Sequence, residues 1–481
     1  MQLSRLIRGI ALTDHIGQDV EITSLTSDTR SLVPGGLFAA LKGTRTDGTR
    51  YISEALDRGA AAILCEKAPD HPGPWLVAKD ARQAYGLLCG NWFGNPADRL
   101  TLLAVTGTNG KTTTTYLLKH VLESVLQAKV GLLGTNQNLM GDRIIPATHT
   151  TPDPYQLHCL LAQMVKEGCG YGVMEVSSHA LDQGRTAGLR FRTGIFTNLT
   201  RDHLDYHGTM EAYRRAKEKL FAQCGTAVLN LDDPAGKAMA GRLPGPIRTF
   251  GQDRGQVRAR DIRLHPDGVD FTALHQGEAV PVRLQIPGLF SVYNALGVLT
   301  ACLDLGIPLE RTAKALAAAP GVKGRAEVVP VPAPYTVIID YAHTPDALEK
   351  ILQTARVVTR CRLICLFGCG GDRDRSKRPV MGAIAADLAD WVILTSDNPR
   401  TEDPEAILDQ IEGGVPKDCS RCIRVTDRRA AIRAALAMGR AGDVILLAGK
   451  GHETYQDAGG TRTHLDEREE ISSFFEESML N

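Results

Sequence analysis

Neither sign of charge is in excess: 55 lysines and arginines face 55 aspartates and glutamates over 481 residues. Without a net field, nothing draws the chain as a whole to a polyanion or an anionic membrane surface, so no nucleic-acid partner is expected. Long hydrophobic runs are also missing. No stretch approaches the ~20 apolar residues of a membrane span, and the N-terminus, MQLSRLIRGIALTDHIGQDV, lacks the unbroken apolar centre of a secretory signal. A cytoplasmic protein without membrane insertion is expected. Cysteine offers no framework either: the count of eleven is odd, and Cys302 and Cys365 sit in apolar runs where a thiol packs as a small hydrophobe. Cys419 and Cys422 have zinc-like spacing, with Cys361, Cys365 and Cys369 upstream, but no second such pair completes a tetrahedral set. Neither disulfides nor zinc are expected.

What is present is material for several cores. At about 150 residues per domain the length implies about three domains. From Arg99 onward, short β-rich runs alternate with helical stretches, the pattern of a parallel sheet covered by helices. The runs are LTLLAV (100–105), KVGLLGT (129–135), YGVMEVS (171–177), TGIFTN (193–198) and AVLNLD (227–232). A second series, YTVIIDY (335–341), RLICLFG (362–368), WVILTSD (391–397) and DVILLAG (443–449), reads as a separate α/β domain. Before Asn95-Pro96 lies a smaller block, and the Gly- and Pro-rich stretch GVKGRAEVVPVPAPY (321–335) suggests a hinge near 325–330. The expected division is 1–97, 98–325 and 326–481: a three-domain α/β protein with a central P-loop ATPase domain on a parallel sheet and a C-terminal Rossmann-like domain.

The run LTLLAV leads through TGTNGKTTTT (106–115) into a stretch whose Leu117, Leu118, Val121, Leu122 and Val125 recur at helical spacing. Strand, glycine turn, Lys-Thr and helix in this order form a phosphate loop. Gly107 and Gly110 let backbone amides turn toward an anion, with Thr108 and Asn109 between them; Lys111 adds a point charge, and Thr112, followed by Thr113, offers a magnesium ligand. The usual pattern has a further glycine where Val105 stands, so the loop is a shortened variant. Glu175 ends another apolar run, at the sheet edge where ligands of α/β folds gather. His203 follows a strand, and Lys217 lies on an expected helix.

GTNGKTTT, EVSSHAL, TNLTRDHLDYHG, AYRRAKEKLF, YNALGV, GRAEVV, DYAHTPDAL, GCGGDRDRSKRP, SDNPR and GKGHE, in order over about 24–455, together resemble the Mur ligases, ATP-dependent amide-forming enzymes of peptidoglycan precursor synthesis. The narrower resemblance is to members that add the third residue of the stem peptide. It implies a cytoplasmic enzyme of cell-wall synthesis, acting as a monomer. Its substrates would be ATP, UDP-N-acetylmuramoyl-L-alanyl-D-glutamate and meso-diaminopimelate, with two Mg2+ ions. A lysine at the Lys217 position is carbamylated in the family, which turns a cation into an anionic oxygen ligand. Thr112 and Glu175 would then hold one magnesium, and Glu175, His203 and carbamylated Lys217 the second, with Lys111, Lys217, His203 and Glu175 as the catalytic set. Asn294, Arg325 and Asp340 resemble nucleotide contacts, and His343 a residue near the phosphates. Thr29 in TSDTR and, more weakly, Thr44, Arg45 and Thr46 match the UDP segment. Thr150, Thr151, Ser177, Gln183 and Arg185 match contacts to the muramoyl peptide, although cap and turn chemistry also accounts for such residues.

For the amino acid, the resemblance points to Arg373, Asp397, Asn398, Pro399, Arg400, Gly449 and Glu453. Asp-Asn-Pro-Arg marks diaminopimelate-adding members, because a guanidinium grips the distal carboxylate that L-lysine lacks. The bland alternative is a turn at Asn398-Pro399 with Arg400 starting a helix through Glu402 and Pro404. Three other functions compete: an L-lysine-adding ligase, a folylpolyglutamate synthetase of the same fold, and a regulatory P-loop ATPase.

Overall fold

Strands that follow one another along the chain collect into three large sheets and one small hairpin in the computed structural model, which describes residues 1–15, 18–43, 46–70, 72–265 and 267–480. The first sheet has five strands between Asp14 and Val77, and all but the first strand pair in parallel. The helix Ala81–Trp92 covers it, started by the Asp80 carboxylate, which accepts a hydrogen bond from the Gln83 amide. Its Ala84, Tyr85 and Leu88 pack on Leu37, Leu64 and Leu76.

The second sheet has eleven strands, with Thr101–Thr106 between Tyr171–Glu175 and Phe191–Phe196, all parallel. Register places Glu175 beside Val105 and Phe196 beside Thr106, so three strands end at one level. Everything that follows those ends, residues 107–110, 176–179 and 197–203, is therefore delivered to one edge of the sheet. The helix Lys111–Leu126 buries the same Leu117, Leu118, Val121, Leu122 and Val125 that show helical spacing in sequence.

This sheet is not wholly parallel. The strands Val257–His265, Gly268–His275 and Glu278–Leu284 form an antiparallel meander on one side, and Asn138–Met140 and Arg143–Ile145 an antiparallel edge on the other. In Glu278–Leu284 buried Val280, Val282 and Leu284 alternate with exposed residues, the period of a strand with one wet face.

The third sheet has six strands in the order Glu327–Val329, Thr336–Asp340, Val444–Ala448, Leu363–Phe367, Trp391–Leu394 and Cys422–Arg424. Only its first pair is antiparallel. The stretch expected to be a hinge is a hairpin here: Glu327–Val329 pairs with Val337–Ile339. Pro330, Pro332 and Pro334 fall in its loop, where a missing N–H costs the ladder nothing. Val444–Ala448, almost the last strand in sequence, lies in the middle of the sheet and is buried on both faces. All eleven cysteines are free thiols, and no helix among the described residues is long and apolar enough to cross a membrane.

A buried ion pair ties the C-terminal helix Glu467–Leu480 to this sheet. Arg428 donates from Nε (2.9 Å) and Nη2 (2.7 Å) to Glu467 Oε1, and from Nη2 to the Ala448 carbonyl (3.0 Å), with both side chains inaccessible to solvent. Removing one partner strands the other charge in a dry interior. Glu467→Ala is expected to lower stability by about 3–5 kcal/mol, read as a reduced urea midpoint at unchanged slope.

Candidate active site

A cleft of about 850 Å³ opens between the carboxyl edge of the central sheet and the C-terminal sheet. One wall is the loop after Thr101–Thr106. Gly107 and Gly110 have φ of 151° and 85°, and a Cβ would stand 1.9 Å from Thr197 Oγ1 at the first and 2.4 Å from Asn294 Oδ1 at the second. Only glycine fits both positions. Lys111, the first residue of the helix, folds back so that Nζ donates to the Gly107 (3.0 Å) and Thr108 (2.9 Å) carbonyls. Desolvation lowers the pKa of its ammonium, opposed by nearby Glu175 and Asp202. Thr108, Asn109, Thr112 and Thr113 line the same wall.

Behind the loop lies Lys217, on the helix Met210–Glu218. Its side chain is 1% exposed, with Nζ 2.8 Å from the Gly107 carbonyl and 4.4 Å above the Tyr213 ring. Burial first, and repulsion from Lys111 second, bring its pKa far below that of an ordinary lysine. Glu175 is fully buried; Oε1 accepts from the Thr135 amide (2.9 Å) and Oε2 from the Thr135 hydroxyl (3.0 Å). His203 sits in the left-handed region at φ 54°, its imidazole edge-on to His179 with centroids 4.7 Å apart. Desolvation pushes it down to about 3, although Asp202 pulls the other way.

The C-terminal half supplies the opposite wall. Arg325 reaches across so that Nη2 donates to Thr112 Oγ1 (3.0 Å), with its guanidinium 4.7 Å over Tyr341. His343 lines the cleft, with Nδ1 2.9 Å from the Tyr341 carbonyl. Asp340 does not line it: its carboxylate accepts from the Ala326 amide (2.7 Å), and burial raises its pKa while Arg325 opposes. Asn294 is likewise buried, against Gly110 and Thr114, and its Nδ2 has no partner among the described residues.

Arg373, Asp397, Asn398, Arg400, Gly449 and Glu453 line the same cleft; Pro399 is not among the lining residues. Arg400 starts no helix. It holds φ 54°, its amide donates to the Asp457 carbonyl (2.9 Å), Nη1 donates to the Gly371 carbonyl (2.6 Å), and the next helix begins at Pro404. Glu453 Oε2 accepts from Asn398 Nδ2 at 2.8 Å.

The residues matched to the muramoyl peptide divide. Thr150 lines the cleft, bonded to Thr135 Oγ1 at 3.0 Å. Thr151, Ser177, Gln183 and Arg185 form a chain beside it: Thr151 Oγ1 donates to the Glu175 carbonyl (3.0 Å), the Ser177 hydroxyl accepts from the Ala180 amide, and Arg185 donates to the Thr151 carbonyl (2.8 Å) and Gln183 Oε1 (2.7 Å). Cap and turn chemistry thus accounts for part of this group. Thr29 is buried away from the cleft, at the start of the short helix Thr29–Ser31. Thr46 precedes the turn at Asp47; Thr44 and Arg45 lie outside the described residues.

Three residues escaped the sequence reading. Thr135, which fixes Glu175, ends a run that had been read only as a strand. Asp346, in DYAHTPDAL, accepts from Asn109 Nδ2 at 2.7 Å and Thr200 Oγ1 at 3.2 Å, tying the C-terminal half to the phosphate loop. Arg82 donates to the Gln183 carbonyl (3.2 Å), joining the N-terminal sheet's helix to the central sheet. No single residue of these types stands out in sequence.

Three family models match in order: the Mur ligase family catalytic domain over 21–84, the Mur ligase middle domain over 105–302, and the Mur ligase glutamate ligase domain over 324–451. A protein of Caldanaerobacter subterraneus subsp. tengcongensis is 45% identical over 99% of this chain and 100% of its own length. The chain belongs to the Mur ligase family. That relative, and one of Gloeobacter violaceus (44% identical, covering 98% of this Mur ligase and 97% of the relative), are each named UDP-N-acetylmuramoyl-L-alanyl-D-glutamate--2,6-diaminopimelate ligase. A solved structure of the same name is 35% identical and superposes with a TM-score of 0.71, covering 100% of this Mur ligase and 99% of that chain. The folylpolyglutamate synthase of Mycobacterium tuberculosis shares the fold alone, at 18% identity and a TM-score of 0.62 over 75% of this Mur ligase and 90% of that chain.

Proposed function

We propose that this Mur ligase joins meso-diaminopimelate to UDP-N-acetylmuramoyl-L-alanyl-D-glutamate at the expense of ATP, in the cytoplasm and as a monomer, without nucleic-acid or membrane partners. The observation that carries the reading is that the Arg400 guanidinium and the Glu453 carboxylate line the same cleft as the phosphate loop. A far end that carries both a carboxylate and an ammonium meets its complement there, whereas L-lysine brings only a cation. Equal concentrations of the two amino acids are expected to give diaminopimelate product in large excess; preferential incorporation of L-lysine would overturn the substrate assignment.

In this reading the γ-phosphoryl of ATP passes to the substrate carboxylate, the incoming amine attacks the resulting acyl carbon, and phosphate leaves as the amide forms. Lys111 exchanges its two loop carbonyls for phosphate oxygens. Thr108, Asn109, Gly110 and Thr113 hold the phosphates through the loop, Arg325 orients them from the opposite wall, and Asn294 and Asp340 shape the nucleotide site from behind it. Thr29 belongs to the UDP end, while Thr150, Thr151, Ser177, Gln183 and Arg185 form the side that faces the peptide. We divide the chain accordingly into 1–97, 98–325 and 326–481.

Magnesium fits the donors present. Thr112 and Glu175 are oxygen donors of the kind it prefers, and we assign them to one ion, with Glu175, His203 and a Lys217 carbamate assigned to a second. Among the described residues no three His, Cys, Asp or Glu side chains form a metal-binding group, so the Thr112 hydroxyl and the Lys217 carbamate complete the set. Bound there, the metal supplies positive charge for the transferring phosphoryl group. Lys111→Ala is expected to reduce ligation on the order of 1000-fold with the fold intact, seen as loss of substrate-dependent phosphate release at unchanged circular dichroism. A regulatory ATPase would instead release phosphate without the UDP substrate and amino acid.

A further inference from the structure

Lys450 has no place in the assignments above. Its side chain is wholly inaccessible to solvent, although it comes directly after Gly449 at the end of the central strand of the C-terminal sheet. Nζ stands 3.1 Å from Asn398 Oδ1, 3.1 Å from Glu453 Oε2 and 3.6 Å from Asp397 Oδ1, with the Tyr455 ring 5.5 Å away. Asp397, Asn398 and Glu453 line the cleft, and Lys450 lies behind them.

The cluster therefore has a wet face that meets substrate and a dry cation that does not. Lys450 sets one ammonium against the two carboxylates of the cluster. Oε2 of Glu453 is committed to Asn398 Nδ2 (2.8 Å) and Lys450, while Oε1 meets the Tyr341 hydroxyl at 3.4 Å, the weak end of a hydrogen bond. Asn398 is fixed at both ends of its amide, since Oδ1 also accepts from the Asp457 amide (3.0 Å). Burial and the neighbouring Asp397 raise the pKa of the Glu453 carboxyl, and Lys450 and Asn398 oppose that rise.

We propose that Lys450 is a positioning residue of the amino-acid site, acting through Glu453 and Asn398: it orients the one carboxylate and supplies the countercharge that lets it stand beside Asp397. The inference rests on the proposed amino-acid site and deepens it. Because the distal ammonium is remote from the reacting amine, the contribution is binding shared by ground and transition states, which appears in KM and not in kcat.

The test is a double-mutant cycle of Lys450→Met and Glu453→Gln, with kcat and KM measured for meso-diaminopimelate. Lys450→Met is expected to raise KM about 10- to 100-fold with kcat changed by less than about 3-fold. In the Glu453→Gln background the same change is expected to add less than about 2-fold, because its target is already gone. Multiplied losses in the double variant, or a fall in kcat at unchanged KM, would overturn the proposal. Should Lys450→Met not fold, Lys450→Gln, which keeps an N–H for Asn398 and drops the charge, carries the same cycle. The wild-type enzyme is measured first: failure to use meso-diaminopimelate would overturn the substrate reading together with this one, whereas additive variants of an active wild type overturn this one alone.

Discussion

Replacing Lys217 with alanine is expected to abolish ligation, a loss on the order of 1000-fold in substrate-dependent phosphate release, at an unchanged melting temperature. The expectation comes from the lysine's surroundings. An amine buried to 1% exposure, close to the Lys111 ammonium and bonded to a backbone carbonyl, gives up its proton far more readily than a surface lysine. A neutral amine carries the lone pair that attacks CO2, and loss of a proton from the adduct leaves a carbamate anion. The same burial that makes a charged lysine costly thus leaves the neutral amine that the modification requires. Acid reverses the reaction by protonating the amine, so enzyme held at low pH is expected to lose activity and recover part of it in high bicarbonate, whereas Lys217→Ala recovers none. Near-normal turnover by Lys217→Ala would remove this residue from the metal-bridging role.

Arg400→Ala is expected to cut kcat/KM for meso-diaminopimelate by roughly 100-fold or more while changing the poor use of L-lysine little. The guanidinium is not a loose surface group. A backbone held at φ 54° by bonds to Asp457 and Gly459, and a side chain tied through Nη1 to the Gly371 carbonyl, fix where it points before any substrate arrives. A preset planar donor loses little freedom on binding a carboxylate, and its removal leaves that carboxylate unmatched in the cleft. Measuring both amino acids with both enzymes separates lost recognition from general damage, which would lower the two rates together.

Much of this site was legible because its parts are contiguous. A strand, two glycines, a lysine and an amphipathic helix within 101–126 define the phosphate loop by local chemistry alone, and the helix ends where its spacing predicts. Glu175 ends an apolar run in sequence, and its register with Val105 puts it at the sheet edge. What stayed hidden depends on partners distant in sequence. Thr135 matters because it reaches Glu175, and Asp346 because it reaches Asn109, pairings 40 and 237 residues apart. Lys450 looks like a solvent-facing lysine between two glycines until the fold closes over it. The meander at 257–284 was missed for a different reason: charged residues such as Arg258, Arg260 and Arg263 on its wet face dilute the apolar signal that marks the parallel strands.

The position of Val444–Ala448 has a consequence for how the chain is made. This strand separates Thr336–Asp340 from Leu363–Phe367 in the finished sheet, yet some 75 residues of chain follow those two before it appears. During synthesis the flanking strand edges stay open until Val444–Ala448 itself has left the ribosome. The Arg428–Glu467 pair then fastens a sheet that has only just closed. A premature stop anywhere before residue 448 thus removes the keystone strand as well as a terminus, and leaves the earlier strands as exposed edges prone to pairing with other chains.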